Sequence, residues 1–438
     1  MASLPSTTTT SFFLLLLLLL NTAAVVRSQS YIGVNYGVTA DNLPPPSATA
    51  KLLQSTSIGK VRMYGVDAGI IKALANTGIG ITIGTSNSDI PALAADLNFA
   101  KGWISSNVSP YYPASKIIII NVGNEVLYYP DENLKTQLLP AMQNLQNALE
   151  AASLGGKIKV STVHPMSVLG QSEPPSAGRF DPKYEALLKG FLEFNKATAS
   201  PFMINPYPYF AYQSDPRPDT LAFCLFEPNA GRPDSGTNVK YMNMFDAQVD
   251  AVRSALNAMA FPDVEIVVAE TGWPYKGGDT EHGATIENAK AYNGNLVAHL
   301  RSMVGTPLMP GKSIDTYLFA LYDEDLKPGA GSERFFGIYK TDLTSIYDIG
   351  LSKTGQGPLA TAPAPALSPP ADAPTTGGAT TLPTNSSTTT TPTTTPPNST
   401  IPQYSPTARV NASKNTGSLN TIAISFIVVV FLAVTSML

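Results

Sequence analysis

Two apolar runs in this chain each end on a glutamate. Residues 116–122 read K-I-I-I-I-N-V and run into Gly123-Asn124-Glu125. Residues 264–268 read V-E-I-V-V and run through Ala269 into Glu270, followed by a Gly-Trp-Pro that cannot continue a strand. Continuous branched apolar runs of this kind read as strands buried on both faces, as in a parallel sheet covered by helices. A charge at the end of a buried strand is costly unless it is used or paired. A single such glutamate is ordinarily an ion pair or a solvated strand end. Two delivered in the same way point to a paired-carboxylate site.

The rest of the chain supplies the sheet. Strand-like runs fall at 32–36, 60–64, 80–84, 117–122, 158–163, 202–205, 265–269 and 316–321. Helical spacing lies between several of them: 138–152 places Leu138, Met142, Leu145 and Leu149 on one face, and 183–196 and 244–259 are similar. Eight strand–helix units over roughly 320 residues predict an α/β fold, a (β/α)8 TIM barrel in one domain. A doubly wound open sheet would carry a Gly-rich phosphate loop after an early strand, and none is present. A barrel gathers functional groups at the C-terminal ends of its strands, where Glu125 and Glu270 are expected as ends of the fourth and seventh.

Both ends of the 438-residue chain differ in composition from this middle. An uncharged apolar run at 12–20 followed by small residues reads as a secretory leader, 1–28, with cleavage after Ser28 or, alternatively, after Ser30. The barrel is expected over 29–354. From 355 to 410 Pro, Thr, Ser and Ala dominate, too little apolar surface to offset ordering entropy, so a disordered, glycosylated stalk follows the barrel. The last segment, 411–438, ends in an apolar tail at 421–438 with no basic residue after it. Small residues, a polar spacer and a hydrophobic tail in that order form the signal for a glycosylphosphatidylinositol (GPI) anchor, attached at Asn411 or Asn415, the tail being removed. A simple membrane helix is the alternative. Acceptors for N-glycosylation occur at Asn107, Asn385, Asn398 and Asn411. The formal net charge is −4 with scattered Lys and Arg, so no basic stripe exists to track nucleic acid. The one cysteine, Cys224, excludes an internal disulfide framework and sits in an apolar run, as a buried inert thiol would.

The motifs carry a resemblance. N-V-G-N-E-V at 121–126 and V-V-A-E-T-G-W-P at 267–274 resemble the two catalytic signatures of glycoside hydrolase family 17, the plant β-1,3-glucanases. So do Y-I-G-V-N-Y-G at 31–37, V-R-M-Y at 61–64, N-P-Y-P-Y-F at 205–210 and the block 319–351. The resemblance spans 31–351. It implies a TIM barrel, a retaining endo-hydrolysis of callose-type β-1,3-glucan, Glu125 as acid/base and Glu270 as nucleophile, and no cofactor or metal. It further implies that Asn124 holds a sugar 2-OH and that Glu324 and Lys327 lie at the cleft. The residues alone leave Asn124 open as a turn residue and Glu324–Lys327 as an exposed ion pair. Tyr275 and the run Tyr322-Asp323-Glu324-Asp325 depart from the family pattern, and Asp323 and Asp325 add negative charge where amides are commoner. Tyr36, Tyr64, Tyr207 and Tyr209 fall at strand ends and suit a sugar cleft, because aromatic faces pack on the C–H faces of glucose. Trp273 is expected either to line the cleft or to wedge its loop. His164, His282 and His299 lack metal-ligand spacing, and a hydrogen-bonded His at the barrel top is the expectation for His164. The expected protein is a monomeric barrel facing the cell wall from the outer face of the plasma membrane. A mixed-linkage β-1,3-1,4-glucanase and a catalytically silent glucan-binding wall protein are the alternatives.

Overall fold

The barrel strands follow the apolar runs. A computed structural model describes residues 32–353. The expected leader, stalk and anchor signal, with Asn385, Asn398, Asn411 and Asn415, lie outside the described residues. Nine strand segments form one parallel sheet: β1 (Ile32–Asn35), β2 (Lys60–Arg62), β3 (Gly80–Thr85), β4 (Lys116–Val122), β5 (Lys159–Ser161), β6 (Val163–Pro165), β7 (Phe202–Asn205), β8 (Ile266–Thr271) and β9 (Asp315–Leu318). Each pairs with its sequence neighbour from β1 to β5 and from β6 to β9, and β9 returns to β1 with Ile32 opposite Thr316. This is a TIM barrel.

The fifth barrel strand is where the structure differs from the expected run at 158–163. It breaks at Thr162 into β5, which pairs with β4, and β6, which pairs with β7. Closing a twisted sheet needs strand tilt and stagger, so one strand serves two neighbours at different heights. Hydroxyls take over where the ladder lapses: Thr162 Oγ1 donates to the Val122 carbonyl at 2.8 Å, and Ser161 Oγ to the Pro201 carbonyl at 2.7 Å. The eighth strand also ends early, at Leu318, and its continuation is held by single bonds, Phe319 N–H to Thr271 O and Leu321 N–H to Asn35 O.

Two cores result. A small one of inward-pointing strand residues comprises Ile119, Val163, Met203, Val267, Ala269 and Tyr317. Gly33 makes room for the Tyr317 ring, since a Cβ there would lie 2.5 Å from it. The larger core lies between strands and helices. Of the helices, α1 (Pro46–Gln54), α2 (Ala68–Ala73), α3 (Ile90–Ala95) and α4 (Leu97–Asn107) precede α5 (Glu132–Ala151). Then come α6 (Glu185–Thr198), α7 (Pro208–Ser214), α8 (Pro218–Cys224), α9 (Met244–Ala258) and α10 (Ile286–Ser302). Helix α5 buries the stripe Leu138, Met142, Leu145 and Leu149 but begins six residues before it. There Asp131 caps the helix by accepting the Leu134 N–H, and polar first turns carry no stripe to read. Among the described residues no helix is long and apolar enough to cross a membrane.

Candidate active site

Glu125 is aimed by a tight turn after β4. Gly123 has φ +66°, and a Cβ on it would sit 2.6 Å from Asn87 Oδ1. Asn87 grips the next residue from both sides: its Oδ1 accepts the Asn124 N–H at 2.8 Å and its Nδ2 donates to the Asn124 carbonyl at 3.1 Å. Glu125 itself is left-handed, φ 51°, a region that non-glycine residues rarely occupy. Its N–H reaches the Val163 carbonyl of β6 at 3.0 Å. The side chain is buried, and its Oε1 accepts from the neutral amide of Asn205, at the end of β7, at 2.8 Å.

Glu270 needs no turn, because it lies within β8. It is buried, and both its oxygens accept: Oε1 from Arg62 Nη1 at 2.7 Å, Oε2 from the Tyr207 hydroxyl at 2.9 Å. Arg62 ends β2 and is 1 % exposed, so its charge must be matched inside the barrel. Its other donors reach Asn121 Oδ1 at 3.1 Å, the Ala269 carbonyl at 3.2 Å and Asn124 Oδ1 at 2.6 Å. The guanidinium lies over the Tyr64 ring, 4.6 Å from its centroid. Burial opposes the Arg62 charge, but Tyr64 and Glu270 outweigh it and hold the group more firmly protonated than usual. Burial, then the Glu270 charge, push the Tyr64 and Tyr207 phenols well above their ordinary values, so Tyr207 stays a donor.

The two carboxyls thus have different surroundings, a guanidinium and a phenol at Glu270 and a neutral amide at Glu125. Environments that diverge in this way separate acid from base roles in a carboxylate pair. Arg62 also connects them, since one nitrogen binds Glu270 and another binds the residue before Glu125. Its bond to Asn124 Oδ1 leaves the Asn124 amide nitrogen to donate elsewhere.

Glu324 and Lys327 stand in a second charged group beyond β9. Glu324 is 6 % exposed and accepts the Thr39 N–H at 3.0 Å. A Cβ on Gly37 would fall 2.2 Å from its carboxyl, which explains why the motif at 31–37 ends in glycine. Lys327 Nζ lies 3.8 Å from Glu324 Oε2, 3.3 Å from Glu333 Oε2 and 4.2 Å above the Phe319 ring. Burial pushes the Glu333 carboxyl up to about 7; Lys327 opposes that rise, and Glu270 and Glu281 add to it. The pair is therefore part of a buried network within the field of Glu270, not an exposed bridge.

Of the four tyrosines, Tyr207 bonds Glu270 and Tyr64 packs against Arg62. Tyr36 is buried with its hydroxyl turned to Thr49 of α1 at 3.4 Å and its ring edge-on to Tyr322. Tyr209 is buried against Trp273, Phe210 and Phe336. Trp273 is 0 % exposed, and its Nε1 donates to the Gly283 carbonyl at 2.7 Å, so it wedges its loop. The two departures in sequence touch each other: the Tyr275 hydroxyl donates to Asp323 Oδ2 at 2.5 Å, and Asp323 Oδ1 accepts the Gly337 N–H at 2.8 Å. Asp325 takes the Asn42 amide at 3.2 Å.

His164 differs from expectation. It is buried between Phe202 and Phe191, ring centroids at 4.7 and 5.7 Å; its Nδ1 has no hydrogen-bond partner, and burial pushes its pKa down to about 3. Burial, not a hydrogen bond, holds it neutral. Cys224 is buried and burial pushes its thiol up to about 12. Asn107 is half-buried at the end of α4, its Nδ2 donating to the Trp103 carbonyl. Among the described residues no group of three or more His, Cys, Asp or Glu is placed to hold a metal.

Arg62, Asn205, Asn87 and Glu333 were not singled out from sequence. An arginine inside a buried strand is the one signal that marks Arg62, by the same burial argument that marks Glu270. Glu333 lies on a short 3-10 turn, Gly331–Arg334, with no pattern around it.

The family model for glycosyl hydrolases family 17 matches residues 32–351. The chain belongs to glycosyl hydrolases family 17. Within family 17, this chain is 69% identical over 327 residues to a protein of Arabidopsis thaliana called glucan endo-1,3-beta-glucosidase 7, covering 75% of this chain and 65% of that one. A glucan endo-1,3-beta-D-glucosidase of Olea europaea is 63% identical over 337 residues, covering 77% and 73%. The chain thus spans a little under two thirds of the first relative's length. Among solved structures, a beta-1,3-glucanase and allergen of Cryptomeria japonica pollen shares 43% identity with a TM-score of 0.70, covering 74% of this chain and all of that one. One of two plant beta-glucan endohydrolases described as having distinct substrate specificities shares 35% identity with a TM-score of 0.67, covering 72% and 99%.

Proposed function

We propose that this family 17 chain is an endo-hydrolase of β-1,3-glucan that works with retention of anomeric configuration at the cell surface. The unequal carboxylate pair carries the mechanism: Glu270 bonded to Arg62 and Tyr207, Glu125 to Asn205. Glu270, accepting at both oxygens, attacks the anomeric carbon as an ionised nucleophile. Glu125 gives its proton to the departing glycosidic oxygen. A glycosyl-enzyme forms on Glu270; Glu125 then takes a proton from water, which releases the sugar. Asn124, fixed through Oδ1 by Arg62, offers its amide nitrogen to the sugar 2-OH, a contact that strengthens as positive charge develops on the ring. Water is the only co-reactant this chemistry requires.

The substrate reading is supported by its similarity to two plant glucan endo-1,3-beta-glucosidases and by 43% identity to a structurally known β-1,3-glucanase. Purified protein is expected to degrade laminarin internally, and proton NMR is expected to show the β-anomer first. The α-anomer first would exclude retention. Mixed-linkage glucan cut in preference to laminarin would favour the alternative specificity, and no turnover of either would favour a silent binding protein. The leader and the small–polar–apolar C-terminal order support a lipid-anchored protein facing the wall. Phosphatidylinositol-specific phospholipase C is expected to release it from membranes without the 421–438 peptide. Retention of that peptide in the membrane, beside a released control, would mean a spanning helix.

A further inference from the structure

The three residues after Glu125 make a 3-10 turn, Val126–Tyr128, that buries Val126 and Leu127 and then turns outward. Tyr128 N–H returns to the Glu125 carbonyl at 2.9 Å, and Tyr129 N–H to the Val126 carbonyl at 3.3 Å. The turn therefore ties both tyrosines to the backbone of the acid. Both are exposed, Tyr128 39% and Tyr129 38%. Large aromatic residues left in water at a site mouth are informative where small exposed apolar residues are not. Their rings meet edge to face, centroids 6.1 Å apart and planes at 84°. That contact sets the two rings at right angles, as floor and wall, while both residues stay exposed. Burial and then the Glu125 charge raise the Tyr129 phenol, which places it within the acid's field.

We propose that Tyr128 and Tyr129 form the platform for the departing glucosyl units of a β-1,3-glucan. This inference rests on the reaction proposed above. The acid must sit against the glycosidic oxygen that leaves with the reducing-side sugars. Surface joined to the acid by one turn, and separate from the enclosed partners of Glu270, faces those sugars. The perpendicular rings also favour one linkage. A β-1,4 chain is a flat ribbon whose successive rings suit coplanar platforms. A β-1,3 chain curls, so neighbouring sugars present their C–H faces at an angle, which a floor and a wall can both meet.

The test uses the full chain with Tyr128→Ala, Tyr129→Ala, the double variant and the matching Phe variants. Two substrates are compared: laminarihexaose, which fills both sides of the site, and β-laminaribiosyl fluoride, whose leaving atom reaches no platform. The double Ala variant is expected to lose about tenfold in kcat/KM on the hexaose, the scale of one to two lost aromatic contacts. It should stay within about twofold of wild type on the fluoride, as should the Phe variants on both substrates. Transfer of laminaribiosyl from the fluoride to added laminaribiose should fall with the hexaose rate. Equal losses on both substrates, or no loss on the hexaose, would overturn the platform while leaving an active wild type as a glucanase. A wild type idle on every β-1,3 substrate would end the parent reading and this one with it.

Discussion

Arg62→Met tests whether the barrel's interior is organised around one charge. The arginine is 1 % exposed and bonds Glu270, Asn121, Asn124 and the Ala269 carbonyl. Methionine fills similar volume but removes the charge. Leaving one partner of a buried ion pair uncompensated costs about 3–5 kcal/mol. The other losses differ by site. Ala269 O keeps its bond from Asn35 Nδ2 at 2.9 Å, and half-buried Asn124 can rehydrate, but Asn121 Oδ1 is stranded, at about 1–2 kcal/mol more. The sum, roughly 4–7 kcal/mol, rivals the whole stability of an ordinary domain. Adding Glu270→Gln removes the stranded charge and keeps the shape. The double variant should therefore recover about 2–3 kcal/mol relative to additivity in urea unfolding at neutral pH. If Arg62→Met fails to accumulate folded protein, recovery of folded protein in the double variant is the same result. Additivity within about 0.5 kcal/mol, or a double variant no more foldable than the single, would refute the idea that Glu270 is held as a charge by Arg62.

Other substitutions separate roles within the site. Glu270→Gln should abolish turnover of every glycoside; Glu125→Gln should lose about 10²–10⁴-fold on polysaccharide, keep its glycosylation step on an activated aryl glycoside, and yield a β-glycosyl azide with added azide. Equal failure of both on the aryl substrate would contradict the assigned roles. Glu333, with its carboxyl pushed up to about 7 by burial, holds its proton better folded than unfolded, so its contribution is unfavourable above the ordinary 4.5 and grows until about pH 7. Glu333→Gln should accordingly gain up to about 3 kcal/mol over wild type above pH 7 and nothing below pH 4, measured by denaturant unfolding across pH. Asp323→Asn with Asp325→Asn removes negative charge beside Glu324 and should move the acid limb of the pH–rate profile to lower pH; an unmoved limb would leave Asp323 a structural role through its bonds to Tyr275 and Gly337.

The strands were legible because a parallel strand covered on both faces must be apolar throughout, and such runs have no other reading at this length. The split at Thr162 was not, since pairing partners depend on barrel tilt and leave no mark in a continuous run. The start of α5 was missed for a related reason. The first turns of α5 are polar and held by the Asp131 cap, so periodicity begins only where burial does. The site divides in the same way. Glu125 and Glu270 stood out because charge interrupts apolar sequence. Arg62 interrupts V-R-M-Y just as plainly, yet its partner is 208 residues away and only closure of the barrel brings it near. The strand-end tyrosines could not be sorted, because a ring just past a strand turns inward or outward according to the loop. Tyr207 reaches Glu270 while Tyr36 packs against Tyr322 and Tyr209 against Trp273.

That division has a physical basis in how the two carboxylates are held. Glu270 sits within β8, where the register against β9 shifts between Val268 and Thr271, and its contacts come from Arg62 at the end of β2 and Tyr207 just beyond β7. Glu125 lies one turn beyond its strand in a left-handed conformation that costs on the order of 1–3 kcal/mol for a residue with a Cβ. The surroundings must over-determine it. Gly123 admits Asn87, Asn87 clamps Asn124, the Glu125 N–H is fixed to β6, and the Tyr128 N–H closes the turn behind it. The proposed nucleophile needs one line of approach, and a position held on both oxygens within β8 suits that. An acid that first gives a proton to a glycosidic oxygen and then takes one from water must meet two partners from one position. A side chain raised off the strand end on a clamped turn meets both without the strand moving. The same turn carries Tyr128 and Tyr129 to the surface, so the proposed proton transfer and the proposed grip on the departing chain would share one piece of backbone.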